Sequence, residues 1–312
     1  MIKLPPYAAA SLLTLSLCAT AAQAQSRVFV AAQGSDANPC SFAAPCRSFQ
    51  RAHDTVAAGG EIDVLDPAGY GSVIITKAIS IQGHGFGGIA VTGGSTGITI
   101  NAGTSDAINL RGLIIEGGGA GQSGVVFNAG GSLALGDCIV RGLTNGIMFQ
   151  PTASSRLAVS TTLVANIVFS AISVAPTGTA ITVTATFDRV AMLNNGGSGI
   201  ALIGQMSTGS IKATVTDSVA SKNGNTGFFA LSSPSGASAD LMVVRSVAVH
   251  NAVGLYALQP GATVRVSQST VTANVDAWVA GSGGVLQSYG DNNIDGNTNA
   301  VSETAPPLIG KK

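Results

Sequence analysis

The phrase Gly199-Ile200-Ala201-Leu202 recurs as Gly227-Phe228-Phe229-Ala230 and again as Gly254-Leu255-Tyr256-Ala257. Each copy is a glycine followed by alternating side chains, the pattern of a β-strand that buries one face. Earlier copies begin at Gly97, Gly124, Gly146 and Ala171, and weaker final copies begin at Ala277 and Asn299. This regular recurrence predicts a solenoid of stacked repeats, none of which folds alone.

Two more short strands follow the glycine strand in each repeat. After a variable loop comes a second alternating stretch, such as residues 211–215, and a third follows at once, as in residues 247–251. A helical crossover needs about a dozen residues or more, so the repeat has no room for one. Three strands per repeat predict one coil of a parallel β-helix, and parallel crossovers are overwhelmingly right-handed. We therefore expect an all-β, right-handed parallel β-helix of about 9–10 coils.

A capping helix is predicted before the first coil. Residues 47–56 follow Pro45 and place Phe49, Ala52, His53 and Val56 on one helical face. The pair Gly59-Gly60 is expected to end this helix.

The chain has four cysteines: Cys18 lies within residues 1–24, and the other three divide into a pair and a single thiol. Cys40 and Cys46 lie in the loop before the predicted helix, and we expect a disulfide between them in an exported chain. Cys138 falls within an apolar strand and is expected to be a buried free thiol.

The residues around this cap resemble the N-terminal segment of a known group. The matching segments are Phe29-Val30, Gly34-Ser35-Asp36, Pro45-Cys46-Arg47-Ser48-Phe49-Gln50 and Gly59-Gly60-Glu61-Ile62-Asp63-Val64. They are similar to secreted right-handed β-helix proteins of the pectin-lyase-like superfamily, and the resemblance covers nearly all of the chain after residue 25 as architecture. It implies the β-helix fold. It implies no single activity, because that superfamily contains lyases, hydrolases, epimerases and adhesins.

The first residues predict export. Lys3, the apolar run 8–21 and the small residues of Ala22-Gln23-Ala24 form a cleavable signal peptide over residues 1–24. The apolar run is too short to span a bilayer, so no membrane span is expected. The predicted division is a signal peptide at 1–24, a cap at 26–60 and the β-helix at 61–310. The destination is the periplasm or the medium.

Composition narrows the range of partners. The chain has 15 Lys and Arg against 15 Asp and Glu, so the concentrated positive charge that nucleic acid requires is absent. No Cys/His spacing suggests a metal site, and we expect neither a metal nor another cofactor. A polysaccharide remains as the candidate partner, and the sequence leaves the oligomeric state open.

The outward side chains of the glycine strand form the first candidate site. The predicted outward column is Thr99, Val126, Met148, Ser173, Ala201, Phe229, Tyr256 and Val279. General acid–base catalysis needs a titratable group beside the substrate, and this column has none. We therefore expect a non-catalytic, glycan-binding or structural role. Phe229 and Tyr256, with Met148 and Trp278, are the candidates for stacking on a sugar, although the loops 205–210 and 232–240 would cover these rings in the alternative interpretation.

A second candidate site favours an enzyme. The residues just before the third strand are predicted to stack as Arg111, Asp137, Thr161, Asp188, Asp217, Arg245 and Ser269. Asp188, Asp217 and Arg245 would then be successive neighbours, which suits a polysaccharide lyase or hydrolase acting on an acidic polysaccharide, with calcium as a cofactor in that case only. Asp and Ser also favour such bends for purely structural reasons. A stack of asparagines at the end of the third strand is predicted to be structural: Asn166, Asn194, Asn223, Asn251 and Asn274.

Overall fold

A computed structural model describes residues 25–310 of the chain. The predicted signal peptide and Cys18 lie outside the described residues. The one α-helix within them is α1, Phe49–Thr55, and a single 3-10 helix spans Ala300–Glu303. The strands are β1 Gln25–Val30, β2 Val56–Val64, β3 Ala68–Gly69, β4 Val73–Ile75, β5 Ile79–Ala90, β6 Thr96–Asn101, β7 Ala107–Ala129, β8 Ser132–Gly136, β9 Ile139–Phe149, β10 Ser155–Ser160, β11 Leu163–Ala165, β12 Ile172–Val174, β13 Gly178–Asp188, β14 Ala191–Leu193, β15 Ile200–Ile203, β16 Ser207–Thr216, β17 Val219–Ser221, β18 Thr226–Leu231, β19 Ser238–Val244, β20 Val247–Val249, β21 Val253–Leu258, β22 Ala262–Ser267, β23 Thr270–Thr272, β24 Asp276–Gly281, β25 Val285–Ser288 and β26 Asn293–Ile294.

Parallel pairing arranges these strands as three long sheets. Sheet 1 holds the glycine strands: β4, β6, the ends of β7 and β9, β12, β15, β18, β21 and β24. Sheet 2 holds β1, β2, the starts of β5 and β7, β8, β10, β13, β16, β19, β22 and β25. Sheet 3 holds β3, the end of β5, the middle of β7, the start of β9, β11, β14, β17, β20, β23 and β26.

The chain passes through sheet 2, then sheet 3, then sheet 1 in every coil. From β2 to β24 it completes nine such coils, and β25 with β26 begins a tenth. The prediction of an all-β right-handed parallel β-helix of about 9–10 coils, with a short N-terminal helix, is confirmed.

The core is a set of vertical columns of inward side chains, and sheets 1 and 2 each contribute more than one column. In sheet 1 the column from Ile98 to Leu255 is at most 1% exposed at every coil, and the sheet 2 column from Ile62 to Val266 is similarly buried. Successive strands lie about 4.8 Å apart, so each inward side chain packs on its equivalent above and below. Phe127 and Phe149, for example, stack with ring centroids 4.4 Å apart. Each such side chain contributes about 1.5–3 kcal/mol by its burial.

The corner between sheets 3 and 1 contains a buried asparagine ladder. Its members are Asn195, Asn223, Asn251, Asn274 and Asn297. Each side-chain amide donates to the side-chain oxygen of the next member, at 2.8 to 3.0 Å. Each also donates to a backbone carbonyl of sheet 3, as Asn223 does to Met192 at 3.3 Å.

The predicted asparagine stack therefore mixes residues from two neighbouring positions of the corner. Asn166 and Asn194 lie one residue earlier, are exposed, and hydrogen-bond to each other at 2.7 Å. Both have φ of 56°, a left-handed conformation that asparagine tolerates. The prediction of a structural asparagine corner stands, but only three of its five residues belong to the buried ladder.

At the corner between sheets 2 and 3, serine hydroxyl groups form the hydrogen bonds that link one coil to the next. The Ser218 hydroxyl accepts the Val190 N–H at 3.0 Å, and the Ser246 hydroxyl accepts the Ser218 N–H at 3.2 Å. The Ser269 hydroxyl continues the ladder by accepting the Ser246 N–H at 3.1 Å. These side chains satisfy backbone donors that lack a strand partner at the bend.

The N-terminal cap places α1 against the first coils. The Ser48 hydroxyl caps the helix by accepting the Arg51 N–H, and Phe49, Ala52 and His53 are its buried face. Phe49 packs against Tyr70 with ring centroids 5.2 Å apart. The helix is shorter than predicted, and Gly59-Gly60 does not end it: Val56 already begins β2, which contains both glycines.

The cysteine predictions agree with the structure. Cys40 and Cys46 form a buried disulfide in the loop before α1. Cys138 is a free thiol that is 1% exposed, and burial raises its pKa to about 11.

We predict that Asn223→Ala lowers the free energy of unfolding by about 2 to 3 kcal/mol, because the Met192 carbonyl and the Asn195 amide then lose buried partners. The matched control is Asn194→Gly, which removes an exposed amide and keeps a residue that accepts positive φ. Urea unfolding of both variants measures the difference. Equal losses in the two variants would show that the buried ladder has no special role.

Candidate functional site

The outer face of sheet 1 has the predicted register. Phe229 pairs with Tyr256, and their ring centroids lie 5.3 Å apart at an interplanar angle of 41°. Both rings are half-buried. Met148 lies on the same face but three coils before Phe229, about 14 Å along the stack. The rings therefore form a pair and not a longer platform.

Trp278 does not belong to this face. It pairs with the inward residue Leu255 in register and packs partly against the hydrophobic core. Its indole N–H donates to the Thr304 carbonyl at 2.8 Å. The ring lies at the C-terminal end of the core, and its stacking on a glycan stays a prediction.

A short amide ladder lies at the other end of the same face. Asn128 donates to Asn101, and Gln150 donates to Asn128, both at 2.9 Å. The face thus begins with amides in its early coils and ends with two aromatic rings.

The predicted corner ladder is out of register by one residue at Arg111, Asp188 and Ser269. The strand pairing sets Asp188 beside Thr216, so Arg189 and Asp217 share the next position. Arg189, Asp217 and Arg245 all have φ between 45° and 52° and form the true column at this bend. Arg189 is therefore a member that the sequence reasoning missed, and Asp188 is displaced towards the end of sheet 2.

These four residues nevertheless form one charged cluster. The Arg245 guanidinium donates two hydrogen bonds to the Asp217 carboxylate, at 2.9 and 2.8 Å. Arg189 pairs with Asp188 at 2.7 Å, and the Thr216 hydroxyl donates to Asp188 at 3.0 Å. The hydrogen bonds from Arg245 hold the pKa of Asp217 below its usual value. Both carboxylates are engaged by guanidinium groups.

This cluster does not fit a calcium site. Calcium is held by several oxygen ligands, and here the carboxylate oxygens face arginines. Among residues 25–310 no group of three or more His, Cys, Asp or Glu side chains lies close enough to hold a metal ion. Nor does any helix in that part of the chain have the length and apolar character to cross a membrane.

The outer face of sheet 2 offers a surface that the sequence analysis did not single out. One outward column runs Arg156, Thr184, Lys212 and Asp240 over four successive coils. The parallel column beside it runs Ala158, Thr186, Thr214, Met242 and Arg265. Two open grooves, of about 560 and 1020 Å³, meet at Met242 and Arg265 along this face.

The basic side chains on this face differ in whether they have polar partners. Arg265 lies 3.6 Å from Asp240 and donates to Gln287 at 3.2 Å. The exposed Arg156 and Lys212 side chains have no ion-pair or hydrogen-bond partner within the described part of the chain. They stand two coils apart, or about 10 Å, with the Thr184 hydroxyl between them.

The sequence contained a signal for this surface. In Ile211-Lys212-Ala213-Thr214-Val215 the polar residues alternate with buried ones, so their outward direction was already clear. What the sequence did not reveal was that Arg156, two repeats earlier in the chain, shares the column with Lys212.

Comparisons with known proteins agree with the fold. No protein-family model and no curated protein matches the sequence. Among solved structures, the pectate lyase Pel9A is similar over 86% of this chain and 78% of its own, with a TM-score of 0.52 and 12% sequence identity. The A-module of the mannuronan C-5 epimerase AlgE4 from Azotobacter vinelandii matches 81% of this chain and 91% of its own, with a TM-score of 0.45 and 12% identity. The chain therefore shares the parallel β-helix fold with the pectate lyase, and at 12% identity the similarity extends to the fold alone.

We predict that Arg245→Gln raises the pKa of the Asp217 carboxyl towards its ordinary value of 3.8, because the guanidinium that holds it down is removed. Glutamine is accepted here, since Gln268 holds the same corner position one coil later. Because the folded-state pKa is depressed, the pair stabilises the fold above pH 3.8 and this contribution is lost as the pH falls through the lowered pKa.

An NMR titration of the Asp217 side-chain carbonyl carbon measures this shift. Arg265→Gln is the control and should leave the Asp217 pKa unchanged. If Arg245→Gln also leaves it unchanged, the ion pair does not exist in solution.

Proposed function

We propose that this chain is an exported, non-catalytic protein that binds an acidic polysaccharide along the outer face of sheet 2. The observation that carries the proposal is the pair of cations Arg156 and Lys212, which have no side-chain partner among residues 25–310 and stand in one column with the Thr184 hydroxyl between them. A linear polymer with regularly spaced carboxylates is the ligand that such a column suits. Charge-assisted hydrogen bonds to carboxylates are stronger than hydrogen bonds between neutral groups.

The polar floor of the face suits a sugar chain. Thr184, Thr186 and Thr214 are exposed on adjacent coils, and each hydroxyl both donates and accepts hydrogen bonds. The grooves at Met242 and Arg265 extend the face towards Gln287 and Tyr289 in the last coils. The whole surface is long, open and shallow, as a binding site for an extended polymer needs to be.

The chemistry of the face supports binding more than bond cleavage. Asp240 is the acidic residue of the two outward columns, and the Arg265 side chain lies beside it. The Asp188 and Asp217 carboxylates are engaged by arginines at the corner. General acid–base catalysis needs a group that can exchange a proton with the substrate. In this arrangement neither Asp240 nor the two corner carboxylates offer such a group.

Export is supported by three features. Residues 1–24 have the pattern of a signal peptide, Cys40 and Cys46 form a disulfide of the kind that persists in oxidising compartments, and the fold is similar to that of a pectate lyase. A polysaccharide outside the cytoplasm would be accessible to such a protein.

The aromatic pair on sheet 1 supports a second candidate function. Phe229 and Tyr256 form a half-buried ring pair on an uncharged face, which suits stacking against a neutral sugar ring. In this alternative, Met148 makes no direct contribution to the ring pair because of its distance along the stack.

We predict that the mature protein binds sodium polygalacturonate, and that Arg156→Ala with Lys212→Ala weakens binding at least tenfold, because two charge-assisted contacts are lost. The matched control is Lys222→Ala, which removes an exposed lysine from the corner between sheets 3 and 1. Isothermal titration at low and high salt measures the affinity, and binding should weaken as the salt concentration rises.

Three outcomes would overturn the proposal. Absence of binding to polygalacturonate and to alginate excludes an acidic glycan. Loss of binding in Tyr256→Ala but not in the double variant moves the site to sheet 1. Unsaturated or reducing products that vanish in Asp217→Ala make the chain a lyase or hydrolase.

A further inference from the structure

A hydroxyl-rich groove lies around Arg156, at the corner between sheets 1 and 2. Its volume is about 570 Å³, within the range of roughly 300 to 1,000 Å³ that ligand-binding pockets occupy. Among the described residues that line it, Arg156 is the one with a charge, and seven others carry hydroxyl groups. The groove is therefore large enough for a sugar unit and offers that unit one cation and many neutral donors.

Three of these hydroxyls surround the strand position of Arg156. Strand pairing places Ser132 one coil before it and Thr184 one coil after it, about 4.8 Å to either side. Ser154 lies two residues earlier in the chain and is exposed on the same outer face. The Ser154 hydroxyl accepts the Thr182 N–H at 3.0 Å, which leaves its own proton for a ligand.

The Arg156 guanidinium is available to a ligand in this groove. Its side chain is exposed and makes no ion pair or hydrogen bond with any residue from 25 to 310. The Asp106 carboxylate, close to the groove in sequence, accepts the Gly103 N–H at 2.7 Å. Asp240 shares the column of Arg156 but lies three coils away, or about 14 Å. An anion in the groove is thus not opposed by a carboxylate among the described lining residues.

The loop before β7 forms one wall of the groove. Thr104 and Ser105 pack closely against Gly131, where an added Cβ would lie 2.9 Å from the Thr104 carbonyl oxygen. The absence of a side chain at Gly131 lets this loop approach the strand that carries Ser132. The concave shape of the groove depends on that close approach.

We propose that this groove binds a sulfate ester, so that the ligand of the sheet 2 face is a sulfated acidic polysaccharide. This inference rests on the proposed function and names the class of ligand more narrowly. The first argument is the number of acceptor oxygens. A carboxylate presents two oxygens, and one guanidinium can satisfy both. A sulfate ester presents three terminal oxygens, and the hydroxyls around Arg156 can donate to those that the guanidinium leaves free.

The second argument is charge. The guanidinium carries one positive charge, and a sulfate ester carries one negative charge. A phosphate monoester carries about −1.5 to −2 at pH 7, and the excess would remain uncompensated because the other donors of the groove are neutral. The charge balance therefore favours a sulfate ester over a phosphate.

The test compares polygalacturonate with a partly O-sulfated derivative of the same chain length, by isothermal titration at equal ionic strength. We expect the mature wild type to bind the sulfated polymer about tenfold more tightly, because the added oxygens gain hydrogen bonds. Ser132→Ala with Ser154→Ala should reduce this preference to about threefold or less, since it removes two of those donors and no charge. The matched control is Ser210→Ala with Ser238→Ala, which removes two hydroxyls from the column of Thr182 in the next two coils and should keep the preference.

Thermal melting checks that each variant folds. Methyl NMR of the wild type gives a second measurement, in which sodium methyl sulfate should shift the Thr182 and Thr184 methyl signals more than sodium acetate does. Equal affinity for the two polymers overturns this inference and leaves the proposed function intact. A preference that survives in folded Ser132→Ala with Ser154→Ala, or methyl sulfate that shifts neither threonine, overturns it as well. Absence of binding to both polymers overturns the proposed function and this inference with it.

Discussion

The structure depends on one constraint, which is that each coil must hydrogen-bond to the next at a spacing of about 4.8 Å. Once that spacing is fixed, every residue lies on its equivalent in the neighbouring coils. An inward isoleucine then packs on another inward residue, and a buried polar group can bond to its equivalent in the coils above and below. The ladder from Asn195 to Asn297 is the clearest result, because each amide bonds both to the next amide and to a backbone carbonyl of sheet 3.

The same constraint turns scattered residues into surfaces. Arg156 and Lys212 are far apart in sequence, yet the pairing of β10, β13 and β16 places them in one column. Sheet 2 thereby becomes the polar, cationic face, sheet 3 the apolar face, and sheet 1 the face with the Phe229–Tyr256 pair. The three faces of the stack therefore differ in their surface chemistry.

The repeat was readable in the sequence because its physical signal is local. A glycine followed by alternating residues, as at Gly227 and Gly254, identifies a strand and its inward face without knowledge of its neighbours. The corners were harder, because two adjacent positions there have different roles and accept similar residues. Asn194 is exposed with positive φ while Asn195 is buried in the ladder, and Asp188 was mistaken for the corner position that Arg189 occupies. The constant repeat length through this region would have distinguished them. The cationic column had no local motif at all, so only the strand pairing reveals it.

The most direct test of the central claim is a methyl NMR titration of the mature protein with an oligogalacturonate, which locates the bound glycan on one of the three faces. We predict that the methyl signals of Thr184, Thr186 and Thr214 shift, because their side chains form the exposed floor of sheet 2. The signals of Ile203, Leu231 and Leu258, which point outward from sheet 1 beside the aromatic pair, should stay unchanged. Shifts confined to these three residues, or no shift on either face, would contradict the account.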